Sequence, residues 1–246
     1  MLTTRTTKRI DALAALLALL PALVQAQEIG HVLITRGQVE ARAADGSVRA
    51  LARRVDLLAG DTVVTGAGGF VQMKLADDAR LALGSGTEFT FGEYSFDGDP
   101  TTPDTAVMSL IRGCFRSITG SIGASPDDEY RIDTPVATIT VRGTFHGGSF
   151  DGQTLYTVTH EGGTTVSNAQ GALDAGLGGM YDYTRTRAGS APEGLVTVPD
   201  FRCETNDQPA VAELLGTPPA PARGNLIILP APSAAPSAPA SGRRDP

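Results

Sequence analysis

Three histidines, His31, His146 and His160, and a scatter of carboxylates are the residues from which catalysis in this chain would have to come. His146 and His160 fall in consecutive strand-like stretches and could meet across them, where Glu161 would complete a ligand set of the kind that holds zinc. The spacing argues for less, since HExxH and paired CxxC are absent. Two partly exposed histidines at strand ends account for the same residues. Asp97, Asp99 and Asp104 alternate with turn residues in EYSFDGDPTTPD, a pattern that could wrap calcium. The glutamate that closes an EF-hand loop is missing, so a plain surface loop is expected. Gly66-Ala67-Gly68-Gly69 lies between strands, not at a helix start where it could cradle phosphate, and no GxSxG elbow precedes a helix. The expectation is no catalytic residue, no metal and no cofactor. A polymer hydrolase is kept as an alternative, because a pair of glycosidase carboxylates needs no local signature.

The elements that must position these residues are short strands. Val32 to Thr35 and Val39 to Arg42 flank Arg36-Gly37, and Asp45-Gly46 is a hairpin turn signal before Val48. Val71, Met73 and Leu75 alternate with polar residues. Asp77-Asp78 turns the chain, and Leu81 and Leu83, then Phe89 and Phe91, alternate again. Val107 to Ile111, Phe115 to Thr119, Leu155 to Thr159, Thr164 to Ser167 and Met180 to Tyr183 complete the set. No convincing helical period follows the first 26 residues, and the chain has 29 glycines. This pattern predicts a single all-β domain.

The start of the chain reads as a secretory signal peptide over residues 1–26. Three basic residues precede an apolar run from Ala12 to Val24, and Val24-Gln25-Ala26 presents the small residues signal peptidase prefers. The run is shorter than the roughly 20 residues that span a bilayer, so cleavage is expected and a retained anchor is not. Removing Arg5, Lys8, Arg9 and Asp11 leaves 17 basic and 26 acidic residues, a net charge of −9. Such a body repels phosphate backbones, which argues against a nucleic-acid partner. In an exported chain the two cysteines, Cys114 and Cys203, are expected to pair as a disulfide; unpaired, each would be a small buried side chain.

Tyr130 to Gly148 carries the clearest pattern. Ala137, Ile139 and Val141 alternate with Thr138, Thr140 and Arg142, and Gly143 then breaks the run before Thr144-Phe145. Arg142 falls at that corner on the polar face, where its fixed donors brace the turn or hold an acidic partner. Gly60-Asp61 is a turn that the aspartate can fix by accepting backbone N–H groups. Single-glycine corners suit a wound β-solenoid or roll as well as a β-sandwich.

Together Thr134-Pro135, the strand that follows and Val141-Arg142-Gly143-Thr144-Phe145 resemble the signature of the FecR domain family. Leu57 to Gly66, with Gly60-Asp61 and Thr65-Gly66, resembles an earlier segment of the same family, and Gly37-Gln38-Val39 and Gly162-Gly163 to Val166 match its opening and close. Ordered matches from about Gly30 to Met180 are more specific than any one motif. The resemblance implies a solenoid-like roll, with the sandwich as the alternative, and a structural role for Gly60, Asp61, Thr65, Gly66, Thr134, Pro135, Arg142, Gly143 and Thr144. Well-known members join a cytoplasmic sigma-factor domain and a membrane span to a periplasmic FecR domain. Here a cleavable signal stands in their place, so the resemblance implies the periplasmic module alone.

Residues 27–215 are therefore expected to form the FecR-like β domain, and residues 216–246, rich in Pro, Ala and Ser, a flexible tail. Asn225 to Leu229, NLIIL, interrupts that tail and could add as a strand to a sheet edge, most simply on its own domain. The expected function is a periplasmic, non-enzymatic binding module in envelope signalling. Its partner would be an envelope protein, such as an outer-membrane receptor or secretion component, or a cell-wall polymer. A structural or peptidoglycan-associated protein and a hydrolase are the alternatives.

Overall fold

The computed structural model describes residues 26–99, 101–125, 127–199 and 203. The expected signal peptide, apart from Ala26, and the tail with Asn225 to Leu229 lie outside the described residues. Fifteen strands follow one another: β1 (Glu28–Arg36), β2 (Val39–Arg42), β3 (Val48–Ala50), β4 (Asp56–Leu58), β5 (Thr62–Thr65), β6 (Phe70–Leu75), β7 (Arg80–Leu83), β8 (Glu88–Ser95), β9 (Thr105–Ile118), β10 (Glu129–Asp133), β11 (Thr138–Phe150), β12 (Thr154–Asn168), β13 (Gly171–Gly176), β14 (Tyr183–Arg187) and β15 (Glu193–Leu195). Among the described residues there is no helix. All fifteen strands belong to one mixed sheet, in which only β9 and β10 run parallel among the paired strands.

Three long strands give the sheet its shape. β9, β11 and β12 each contain a glycine in the left-handed region, Gly113 (φ 89°), Gly143 (φ 52°) and Gly162 (φ 76°). The residues on either side of each glycine pair with different neighbours. The first half of β9 pairs with β8 and β10, and its second half with β7 and β11. Likewise β12 pairs with β14 before its corner and with β13 after it. The stretches read from sequence as separate strands, Val107 to Ile111 and Phe115 to Thr119 among them, are thus halves of bent strands.

The bends fold the sheet into two leaves. Leaf 1 runs β3-β2-β5-β8 and on through the first halves of β9 and β11, with β10 between them, to the second half of β12 and β13. Leaf 2 runs β4-β1-β6-β7 through the other halves of β9, β11 and β12 to β14 and β15. The leaves face one another across the core. Phe89 of leaf 1 lies 5.8 Å from Phe115 of leaf 2, ring centre to ring centre, and Tyr130 of leaf 1 lies 5.8 Å from His146 of leaf 2. The residues that face inward recur at every second position, so that Phe89, Phe91, Met108, Leu110, Ile132 and Ile139 meet Val32, Leu57, Met73, Leu81, Leu83 and Leu155 in one apolar cluster. The single all-β domain read from the sequence is the fold observed. The leaves stack as in a sandwich, but three strands run through both, which makes the architecture a roll.

Candidate functional site

The family-pattern residues do not converge on one site. Each group sits at its own turn, tied into it by hydrogen bonds. Gly60, at φ 85°, donates its N–H to the Phe91 carbonyl (2.7 Å), and the Asp61 carboxylate accepts the Leu58 N–H (2.8 Å). Arg49, which the sequence reading did not single out, reaches Asp61 from β3 and completes that turn with two guanidinium donors. Thr65 donates its hydroxyl to the Gly84 carbonyl (2.6 Å) and accepts the Thr87 N–H (2.8 Å), and the Gly66 N–H binds the Gln38 carbonyl (2.9 Å). Thr134 closes the Thr134-Pro135-Val136-Ala137 turn, its hydroxyl donating to the Ala137 carbonyl (2.6 Å).

The fourth group stands apart because it places a charged side chain at the surface. The Gly143 N–H binds the Gly123 carbonyl (2.8 Å) and the Thr144 N–H binds the Thr119 hydroxyl (2.9 Å), which holds the corner. Arg142 points outward, its side chain 62% exposed, and meets Asp174 of β13 at 3.6 Å. An exposed pair at that distance adds little stability. β13 leads from Asp174 into Leu177 and Met180, which are 81% and 85% exposed. Tyr181 bridges back to Ala175 and lays its ring against the backbone of Gly194 in β15. Beyond β15, Val196 and Val198 are exposed as well. The Leu177 carbonyl and the Arg142 guanidinium both lie beside Gly163, so the exposed stretch that follows β13 starts next to the Arg142 corner.

The chemistry-bearing residues sit elsewhere. His146, expected at a strand end and partly exposed, is instead fully buried on the core side of β11 with its ring edge-on to Phe115 and Tyr130. Burial, with a smaller contribution from His160, pushes its pKa down to about 3, so it is a neutral core residue. His160 lies on the opposite face of the sheet, stacked on Phe145 at 4.7 Å. Among the described residues no group of three histidine, cysteine or acidic side chains is placed to hold a metal ion. Asp97 and Asp99 accept the backbone N–H groups of Asp99 and Thr101, and Asp104 accepts that of Asp97, as turn-forming carboxylates do. Asp77, at the turn between β6 and β7, is buried and its pKa is raised by that burial; it accepts the Tyr94 hydroxyl (2.8 Å) and the Ile122 N–H (3.3 Å), knitting that turn to both leaves.

An open groove of about 630 Å³ runs along β1, between His31, Ile34 and the Arg53-Arg54 turn, with Gln72 on its floor. Arg54 holds φ 69° there, and its N–H binds the Val32 carbonyl (2.8 Å). Cys114 on β9 is joined to Cys203 in a disulfide, the pairing the sequence predicts. Among the described residues no helix is long and apolar enough to cross a membrane.

Residues 61–171 match the model of the FecR protein family. Two crystal structures of a candidate anti-sigma factor from Parabacteroides distasonis ATCC 8503 are similar to the chain at 12% and 11% sequence identity, each with a TM-score of 0.43 and covering 54% of this chain. The chain spans 59% of the length of that protein. No curated protein matches it. Thr65-Gly66, Thr134-Pro135 and Arg142-Gly143-Thr144 follow in order within the matched stretch, on one all-β body, so residues 61–171 of this chain are a FecR domain.

Proposed function

We propose that this protein is an exported, non-enzymatic binding module of the periplasm that takes part in envelope signalling by docking another envelope protein at the Arg142 corner. The FecR domain match over residues 61–171 supports the signalling role. One observation carries the location: the charged motif residue that reaches solvent, Arg142, stands on the same margin as Leu177 and Met180, which are almost wholly exposed. A partner that buries those two side chains gains roughly 2 kcal/mol from each, enough to make them centres of an interface. An acidic group on the partner would replace Asp174 and set the register. The partner class that fits is an outer-membrane receptor or a secretion component with an apolar, acidic-rimmed surface.

The test is affinity capture of the exported chain after crosslinking in cells, beside a Leu177→Asp/Met180→Asp variant. Enrichment of one envelope protein with the native chain, lost with the variant, is the expected result. Capture of peptidoglycan, or of the same protein equally well by both chains, would refute a docking surface at this corner.

A further inference from the structure

Burial on the outer side of leaf 2 is not explained by the two leaves. In β6 and β7, Val71 pairs with Leu83 and Met73 with Leu81 toward the core, which turns the Gln72 and Ala82 pair outward. Yet Gln72 and Ala82 are both 0% exposed, and Phe70, on the same side, is 6% exposed. Phe70 and Ala82 form a second apolar cluster, with Ile34 and Ile118 packed on it. All four residues come from leaf 2 itself, so among the described residues the cluster has no second layer. Cys114, Phe145 and Val158 continue the buried stripe along β9, β11 and β12. Two polar groups point the same way: both amide atoms of Gln72 and the Nε of Arg116, which pairs with Ala82, are buried with no hydrogen-bond partner. A buried amide without a partner is unfavourable enough that something on this face should bind it.

The chain brings a candidate occupant to the face by a covalent bond. Cys203 is joined to Cys114, within the stripe, and 43 residues follow it. The first of them, residues 204–216, read ETNDQPAVAELLG. Asp207 is a helix-capping residue two positions before Pro209, Gly216 is a stop signal, and Val211, Leu214 and Leu215 share one face over a single turn, too short a run to register as a helical period in the sequence alone. A helix this short does not persist alone in water and forms only against an apolar surface. The segment carries Glu204, Asp207 and Glu213 and no basic residue, whereas the outer side of leaf 2 carries Lys74, Arg80 and Arg116.

We propose that residues 204–216 dock on the outer side of leaf 2 as an amphipathic helix, with Val211, Leu214 and Leu215 covering Phe70, Ala82 and Ile118 and with polar groups of the segment satisfying Gln72 and Arg116. The disulfide makes this docking intramolecular, at an effective concentration in the millimolar range for so short a tether. The body is thereby closed by a third, partial layer, and the tail proper begins only after Gly216.

The test places the photo-crosslinker p-benzoylphenylalanine at Phe70 in the oxidised full-length chain, irradiated at submicromolar concentration, with the adduct mapped by peptide mass. An adduct within the same chain to residues 204–216 is expected. Adducts to residues 1–25, to Asn225–Leu229 or to a second copy, or none at all, would overturn the proposal. In a second variant the chain ends at Asn206 and keeps its disulfide. Its fluorescence with 8-anilinonaphthalene-1-sulfonate is expected to rise several-fold over that of the full chain, and an unchanged signal would also overturn the proposal.

Discussion

Arg49 and Asp61 form an ion pair in which only the arginine touches water. The Asp61 side chain is 1% exposed and that of Arg49 31%, and the carboxylate also accepts the Leu58 N–H at the Gly60-Asp61 turn. The aspartate is the one that cannot be left alone. Removing Arg49 strands a buried carboxylate, whereas removing Asp61 leaves a guanidinium that can turn to solvent. Arg49→Ala should lower unfolding free energy by about 3 kcal/mol, and Arg49→Ala/Asp61→Ala should be less destabilised than Arg49→Ala alone. Urea unfolding at constant m-value reads both, and a single Arg49→Ala effect under about 0.5 kcal/mol would refute the account.

The neutral state of His146 makes stability depend on pH. Its pKa is about 3 in the folded chain, because burial between Phe115 and Tyr130 disfavours the charged ring, against about 6.5 unfolded. The unfolded chain therefore binds the extra proton first, and stability falls as pH drops from 6.5 toward 3. His146→Phe keeps the ring packing and removes the titration. Between pH 7 and pH 5 the native chain should lose about 2 kcal/mol more than this variant. Equal losses in paired urea titrations would show that His146 is solvated.

The glycine corners differ sharply in their tolerance of a side chain. A Cβ on Gly162 would lie 2.0 Å from the Gly143 carbonyl oxygen at φ 76°, whereas one on Gly46, at φ 83°, would meet nothing within 4 Å. Gly46→Ala should cost about 1 kcal/mol, the strain of the left-handed backbone alone. Gly162→Ala adds a backbone collision and should cost at least about 3 kcal/mol. Thermal melts of the two variants that fell together would contradict the corner geometry.

The disulfide closes a loop between residues 89 apart in sequence. In the chain-entropy treatment such a loop stabilises by about 4.6 kcal/mol, so Cys114→Ser/Cys203→Ser should melt on the order of 10 °C lower. A calorimetric shift under about 2 °C would mean that the carboxy-terminal part of the described chain contributes little to the body.

Most of the strands were legible in the sequence because their inward residues alternate strictly: Val71, Met73 and Leu75, or Phe89 and Phe91, carry the period in full view. The joins were not. Nothing local distinguishes a glycine that ends a strand from one that bends it, so β9, β11 and β12 read as pairs of shorter strands, and only the pairing partners on each side show them to be continuous. β4 and β15 are three residues long, too short for any period. His146 was misplaced for a related reason. Its neighbours Gly147 and Gly148 have no side chains, which hid the alternation that puts His146 inside. Arg142 was legible as a corner residue, but its proximity to Asp174 and Leu177 was not, because the sheet brings them there from more than thirty residues away.

The sharing of β9, β11 and β12 between leaves bears on how the chain can be cut or copied. Neither leaf is a module that could be excised, duplicated or transplanted, since each borrows half its central strands from the other. A single proteolytic nick in one of those strands should unravel both leaves in one step. Insertions and new chain ends should be accepted best at exposed hairpin tips such as Asp45-Gly46, where an added side chain meets nothing.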